Sequence, residues 1–254
     1  MDMAKKVALV IGGSGGIGKA SALAFGQAGV AVVVAARREE AGEAVAKAIT
    51  DAGGRARFVR CDLNSKADVE GAVGTAVSAF GRLDYAVNVP GITGTVGPLV
   101  ECSDETWESV LHMNLTGIFW SMRAQIRQML AQGEGGAIVN ISSAVGKRAF
   151  AGLGVYGATK RAMESLTETA ALEYARQNIR VNAIAPGSIE TDTFYGFTNG
   201  GDPQLVKAMA ETYHPLARIG RPEEVAQAVL YLCTGATFTT GATLPVDGGW
   251  AFRP

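Results

Sequence analysis

Continuous apolar runs of strand length alternate along the chain with stretches whose apolar residues recur at helical spacing. The runs lie at 5–11 (KKVALVI), 30–36 (VAVVVAA), 56–60, 83–88, 137–142 (AIVNIS), 179–185 (IRVNAIA) and 243–246 (TLPV). The spacing predicts helices over 17–28, 39–52, 66–80, 104–131, 155–176, 203–213 and 222–233. Strands apolar at every position belong to a parallel sheet covered on both faces. The expected fold class is therefore α/β: a doubly wound parallel sheet of about seven strands, helices on both sides, in a single domain over 1–254. One long stretch has no period, GSIETDTFYGFTNGGD at 187–202. A loop of that length in a compact domain is usually functional. Phe194, Tyr195 and Phe197 need a partner, so a lid around 187–213 is expected.

The first strand runs into VIGGSGGIGKA, which opens the first helix. Gly12, Gly16 and Gly18 stand where a dinucleotide requires a tight turn, close backbone approach and close helix packing. Ser14 and Ile17 lie inside the same loop. The helix N-terminus then offers N–H groups to phosphates. After the second strand, where a carboxylate would bind the ribose hydroxyls of NAD, the chain has Ala36, Arg37 and Arg38. Guanidinium suits a 2′-phosphate, so NADP(H) is expected over NAD(H), with Arg37 the preferred ligand of the two. Asp62, followed by Leu63, sits after the third strand. It can accept from an adenine amino group or cap the next helix within DLNS.

NISSAVGKRAFAGLGVYGATKRA places a serine pair after a strand and then Y-x-x-x-K on a helix. Tyr156 and Lys160 are one turn apart, so both side chains share a face. A nearby ammonium stabilises a phenolate and lowers a phenol pKa that is otherwise near 10. With the glycine loop, MNLTG around Asn114, IRVNAIAPGSIETD and the ending PVDGGW, the chain resembles the short-chain dehydrogenase/reductase family over essentially its whole length. The resemblance implies a Rossmann fold and a ketoreductase or alcohol dehydrogenase with Tyr156 as acid/base. Ser143, thirteen residues before Tyr156, would hold the substrate oxygen, with Ser142 the alternative. It implies that Asn114 holds a water linked to Lys160, and that Asn88, before Gly91, supports the adenine ribose. Pro186, Gly187, Ile189 and Thr191 would lie beneath the nicotinamide. The substrate would meet Ser143, Val145, Phe150, Leu153, Ser188 and Phe194. A homotetramer, or a homodimer, through the helices at 104–131 and 155–176 is also implied. His112 and His214 receive no role.

Two positions depart from the family pattern. The glycine loop begins with Ile11 where threonine is usual, and the turn after the fourth strand reads N-V-P-G instead of N-N-A-G. Ile11 and Val89 are expected to compensate each other, since a lone buried hydroxyl or amide costs ~1–3 kcal/mol.

Composition narrows the partners. The chain has 254 residues, 48% hydrophobic and 19% charged, with a net charge of -1. That fits a large core and gives no basic surface for nucleic acid. Cys61, Cys102 and Cys233 have neither metal nor disulfide spacing. No apolar run reaches the ~20 residues of a membrane span. A cytoplasmic enzyme of a small carbonyl or alcohol substrate, with no bound metal and no membrane partner, is the expectation. A 3-oxoacyl-carrier-protein reductase is the enzymatic alternative, weakened by Glu134 and the lack of any base in MLAQGEGG at 129–136. A nucleotide-binding regulator is the non-catalytic one.

Overall fold

A computed structural model describes residues 2–252. Residues 1, 253 and 254, at the ends of the expected domain, lie outside the described residues. The strands are β1 (Val7–Ile11), β2 (Ala31–Ala36), β3 (Ala56–Arg60), β4 (Tyr85–Asn88), β5 (Gly136–Ile141), β6 (Ile179–Pro186) and β7 (Thr243–Val246). All pair in parallel in the order β3-β2-β1-β4-β5-β6-β7. The order reverses between β1 and β4, and a ligand crevice opens at the carboxyl ends there.

Ten α-helical segments are described: α1 (Gly16–Gln27), α2 (Glu39–Asp51), α3 (Lys66–Phe80), α4 (Asp104–Leu111), α5 (Gly117–Gln132), α6 (Ala144–Lys147), α7 (Gly154–Tyr174), α8 (Asp192–Phe197), α9 (Pro203–Tyr213) and α10 (Pro222–Thr234). Alternate residues of each strand feed two cores. One lies under α3, α5 and α7 and holds Leu9, Ile11, Ala86 and Ile138. The other lies under α1, α2 and α10 and holds Val10, Val34, Val87 and Val139. This two-sided burial is why the central strands are apolar at most positions.

The structure differs from the sequence pattern in three places. The helix expected over 104–131 is interrupted by a π turn, His112–Thr116, between α4 and α5. The extra residue leaves the apolar stripe almost in phase, so the pattern hides it; such bulges gather at functional sites. The irregular stretch at 187–202 contains α8, whose N-cap is Thr191. Finally, Ile11 and Val89 are not side-chain partners. Ile11 stands in register with Asn88 and faces the α5 side, whereas Val89 packs on the opposite core. Val89 lies instead against Gly12, where an added Cβ would come 2.6 Å from its carbonyl oxygen. Gly12 also has φ +86°, so both space and backbone demand glycine there.

Beneath the crevice lies a buried polar network. Asn88 pairs in register with Asn140, and its amide donates to Asn140 Oδ1 at 2.8 Å and to Gln125 Oε1 at 3.0 Å. Gln125 returns a bond to Asn88 Oδ1 at 2.7 Å, and Asn140 donates to Thr167 Oγ1 at 2.9 Å. Strands β4 and β5 are thereby tied to α5 and α7. Thr167→Val keeps the shape and leaves one Asn140 N–H without its oxygen, so we expect a loss of about 1–3 kcal/mol. It should appear as a lower urea midpoint with an unchanged slope.

Candidate active site

The crevice is a cavity of about 620 Å³, a size suited to organic ligands. At one end the loop after β1 contributes Gly12, Ser14, Gly15, Gly16 and Ile17, beside Arg37 and Arg38 from the end of β2 and Cys61 and Leu63 from the end of β3. Gly18 packs α1 onto this loop and leaves no room for a Cβ beside the Gly12 carbonyl. Bare backbone and a helix N-terminus form a cradle that side chains would fill, which suits a dinucleotide pyrophosphate.

Arg37 is exposed at the cavity mouth. Arg38 lies across Gly15, reaches Ser14 Oγ at 3.4 Å and pairs with Asp192 at 3.2 Å. It thus joins the glycine loop to the first turn of α8. Asp62 is not in the cavity lining. Its carboxylate accepts from the Asn64 N–H at 3.0 Å in a turn, and the cap of α3 within DLNS is Ser65. Cys61 lines the cavity, but burial pushes its thiol up to about 12, so it is no nucleophile. All the cysteines are free, and no metal-binding cluster occurs among the described residues.

At the centre, β5 ends and α6 begins at Ser143, whose hydroxyl accepts from the Val145 N–H at 3.2 Å. The same hydroxyl hydrogen-bonds the Tyr156 phenol. Lys160, one turn along α7, is 1% exposed. Its ammonium donates to the carbonyls of Pro90 at 3.1 Å and Ile141 at 2.9 Å, and its Nζ is 5.3 Å from the Tyr156 ring centroid. Burial pushes the Tyr156 phenol up to about 12, with the Ser143 bond acting against it. Burial pushes the Lys160 ammonium down to about 7, opposed by the charge of Glu164.

Ser142 and Ser143 point to different places. Ser142 donates to Glu164 Oε1 at 2.8 Å, away from the phenol. Glu164 is 1% exposed and also pairs with Lys147 at 3.1 Å and Arg161 at 3.5 Å. Its carboxylate clamps the Ser143-bearing turn onto α7. The spacing of Lys160 and Glu164, four residues on one helix face, was a signal the sequence carried.

Two residues singled out from the sequence have their side chains engaged elsewhere. Asn88 is fully buried in its network with Gln125 and Asn140, so its side chain does not face the cavity. Asn114, expected to hold a water linked to Lys160, uses its side chain on the loop after β4. It sits in the π turn, donates to the Ile92 carbonyl at 2.7 Å, accepts from the Ile92 N–H at 3.2 Å, and so fixes the loop after β4. Gly91 of that loop lines the cavity as expected.

The floor continues through Pro186, Gly187, Ser188, Ile189 and Thr191. The Thr191 hydroxyl is engaged locally, donating to the Ile189 carbonyl at 3.1 Å and accepting from the Phe194 N–H at 3.3 Å. His214, unassigned from the sequence, is the staple of this floor. Its Nδ1 meets the Asp247 carbonyl at 2.7 Å and its Nε2 meets the Ser188 N–H at 3.3 Å. A carbonyl only accepts and an N–H only donates, which places the proton on Nδ1. No local sequence signal could show this, because the partners lie 26 and 33 residues away. Val145, Phe150, Leu153 and Phe194 line the far side of the cavity, joined by Tyr213 and Trp250.

A family model described as enoyl-(acyl carrier protein) reductase matches residues 12–251. The chain is 41% identical over 249 residues to a cyclohexanol dehydrogenase of Acinetobacter sp. (strain SE19), covering 98% of this chain and 96% of the relative. The chain belongs to the short-chain dehydrogenase/reductase family. It is an oxidoreductase acting on CH–OH groups, and the family uses nicotinamide cofactors. Among solved structures, levodione reductase superposes with a TM-score of 0.92 at 30% identity, covering 98% of this chain and 99% of that one. A variant of actinorhodin polyketide ketoreductase, solved with NADPH, superposes with a TM-score of 0.91 at 34% identity, covering 98% of each chain.

Glu164→Gln keeps an acceptor for Ser142 and removes the charge that holds Lys160 up. The Lys160 pKa should then fall further below its present value of about 7. An NMR titration of the Lys160 side chain in both proteins reads this directly, and an unchanged midpoint would leave Glu164 with a packing role alone.

Proposed function

We propose that this short-chain dehydrogenase/reductase is an NADP(H)-dependent carbonyl reductase and secondary-alcohol dehydrogenase in which Tyr156 is the acid/base. The observation that carries the reading is one cavity joining the glycine cradle to Ser143, Tyr156 and Lys160. When bound, the nicotinamide gives or takes the hydride. In reduction, Tyr156 donates its phenolic proton to the carbonyl oxygen as the substrate carbon is reduced to an alcohol. In oxidation the phenolate takes that proton back. Ser143 hydrogen-bonds the same oxygen and sets its distance from Tyr156. Lys160, anchored by two backbone carbonyls, supplies positive charge beside the phenol and lowers the cost of phenolate.

The preference for NADP(H) is supported by Arg37 and Arg38 at the mouth and by the lack of a carboxylate at the end of β2. The ketoreductase of like fold holds NADPH. Pro186, Gly187, Ile189 and Thr191 would lie beneath the nicotinamide, with Ser14, Gly16, Ile17, Leu63 and Gly91 along the remainder. The segment 187–213, carrying α8 and α9, is the lid, and Arg38–Asp192 is its contact with the cofactor end. The cyclohexanol dehydrogenase and levodione reductase support small ketones or alcohols as substrates. A carrier-protein-bound ketone is the second reading, favoured by the family model's description. A purely regulatory role would leave the Ser143–Tyr156 bond and the costly burial of Lys160 without purpose. For assembly we propose a homotetramer, supported by exposed Trp107 and Phe119 on α4 and α5 and Leu172 on α7.

Tyr156→Phe should lower turnover by about 10²–10⁴-fold, the usual worth of a general acid, with NADPH affinity retained. Steady-state assay and fluorescence titration check both, and retained turnover would sink the mechanism. Arg37→Ala with Arg38→Ala should weaken NADPH and leave NADH binding nearly as before. Equal weakening of both cofactors would remove the phosphate assignment. The phenol stands high in the free enzyme, so oxidation, which needs phenolate, should rise in kcat/KM with increasing pH. Reduction, which needs the neutral phenol, should not rise with it.

A further inference from the structure

The end of the cavity beyond Tyr156 is built unlike the cofactor end. The charged lining residues of the whole cavity are Arg37, Arg38, Asp192 and Lys160. Arg38 and Asp192 pair beside the glycine loop, Arg37 precedes Arg38 at the end of β2, and Lys160 lies close to the phenol. None stands on the far wall.

That wall carries three rings from distant parts of the chain. Phe150 follows α6, Tyr213 ends α9, and Trp250 follows β7. Tyr213 and Trp250 stack with centroids 5.3 Å apart and planes 29° apart. Phe150 meets Tyr213 at 5.2 Å and 58°, and Trp250 at 5.8 Å and 73°. All three are only partly buried and all line the cavity.

The cluster is also held rigidly. Asp247 accepts from the N–H groups of Gly249 and Ala251, both at 2.8 Å. Gly248 and Gly249, with φ +61° and +92°, pack against His214 and Pro215 and turn the chain back. Trp250 then meets the His214 ring edge-on at 5.3 Å. The His214 that staples the floor at Ser188 therefore also braces the wall.

We propose that Phe150, Tyr213 and Trp250 form the specificity wall of the enzyme and select a neutral, ring-bearing ketone or secondary alcohol, with Trp250 the determining residue. This rests on the carbonyl-reductase reading above. A preorganised apolar surface without charge offers nothing to a carboxylate or phosphate on the substrate. Flat aromatic faces give a compact ring full contact, and a ring pays little conformational entropy on binding. A short open-chain ketone reaches less of the wall and loses less when the wall is cut.

The test compares cyclohexanone with butan-2-one as substrates with NADPH, in the wild type, Trp250→Ala and Trp250→Phe. The ratio of kcat/KM for cyclohexanone to that for butan-2-one should fall roughly tenfold or more in Trp250→Ala, mostly through KM, in line with pocket contacts. Trp250→Phe, which keeps a ring, should restore most of the ratio, and NADPH affinity should be alike in all three. Saturation-transfer NMR of cyclohexanol with the NADPH complexes, in which alcohol and reduced cofactor cannot react, gives a readout independent of turnover, with the signal lost in Trp250→Ala. An unchanged ratio in a folded Trp250→Ala protein, or no cyclohexanol signal in the wild type, overturns the wall. If the wild type binds cyclohexanol through Trp250 yet turns over neither ketone, the reductase reading fails and the wall stands.

Discussion

The ammonium of Lys160 is the constraint around which the site is arranged. A buried cation needs acceptors, and this one takes the carbonyls of Pro90 and Ile141. Pro90 lies just past the carboxyl end of β4, a strand at the point where the sheet order reverses, and Ile141 is the last residue of its neighbour β5. Their positions are fixed from behind. The Asn88–Asn140 pair locks the two strands together one layer below, and Gln125 and Thr167 tie that pair to α5 and α7. Lys160 and Thr167 stand seven residues apart on α7, two turns along one face. The helix that carries the lysine is thus registered on the same strand ends that supply its acceptors.

Seen this way, the unusual N-V-P-G turn divides its tasks. Asn88 belongs to the network, Val89 covers Gly12 on the opposite core, and Pro90 presents its carbonyl to Lys160. Proline lacks only the donor, and an acceptor is what the ammonium uses here. The loop beyond it is steadied at Ile92 by Asn114, a side chain the π turn directs inward. Ile11 stands beside Asn88, whose amide is already satisfied by Asn140 and Gln125, so no hydroxyl is required at that position.

Much of this was legible in the chain. Strand and helix positions followed from continuous apolar runs, because central strands are buried on both faces. The glycine loop was readable from its place between strand and helix and the Tyr156–Lys160 pair from one helix turn, while Ser143 was implied by the family resemblance; all line one cavity. Side-chain direction was harder. The alternation of Val87, Asn88 and Val89 already separates Ile11 from Val89, because successive strand residues face opposite cores. The π turn stayed hidden, as one extra residue barely disturbs an apolar stripe. His214 and Trp250 were out of reach for a different reason: their contacts are made between segments far apart in sequence, and no local pattern encodes them.

The cavity's two ends follow opposite physical rules. At the glycine loop, backbone donors, a helix N-terminus and exposed guanidinium groups suit fixed negative charge, where strength would come from electrostatics. Beyond Tyr156 the lining is apolar and ring-rich, a surface on which selection would come from shape and exclusion of water. The reacting atoms lie on the border. Burial there raises the phenol and depresses the ammonium in the same small volume. A phenolate in such surroundings depends on every positive charge nearby, so its proton affinity is sensitive to whatever occupies the polar end. In the proposed mechanism the division of the cavity therefore does more than sort two ligands: it would make the acid/base group responsive to one while the other is being selected.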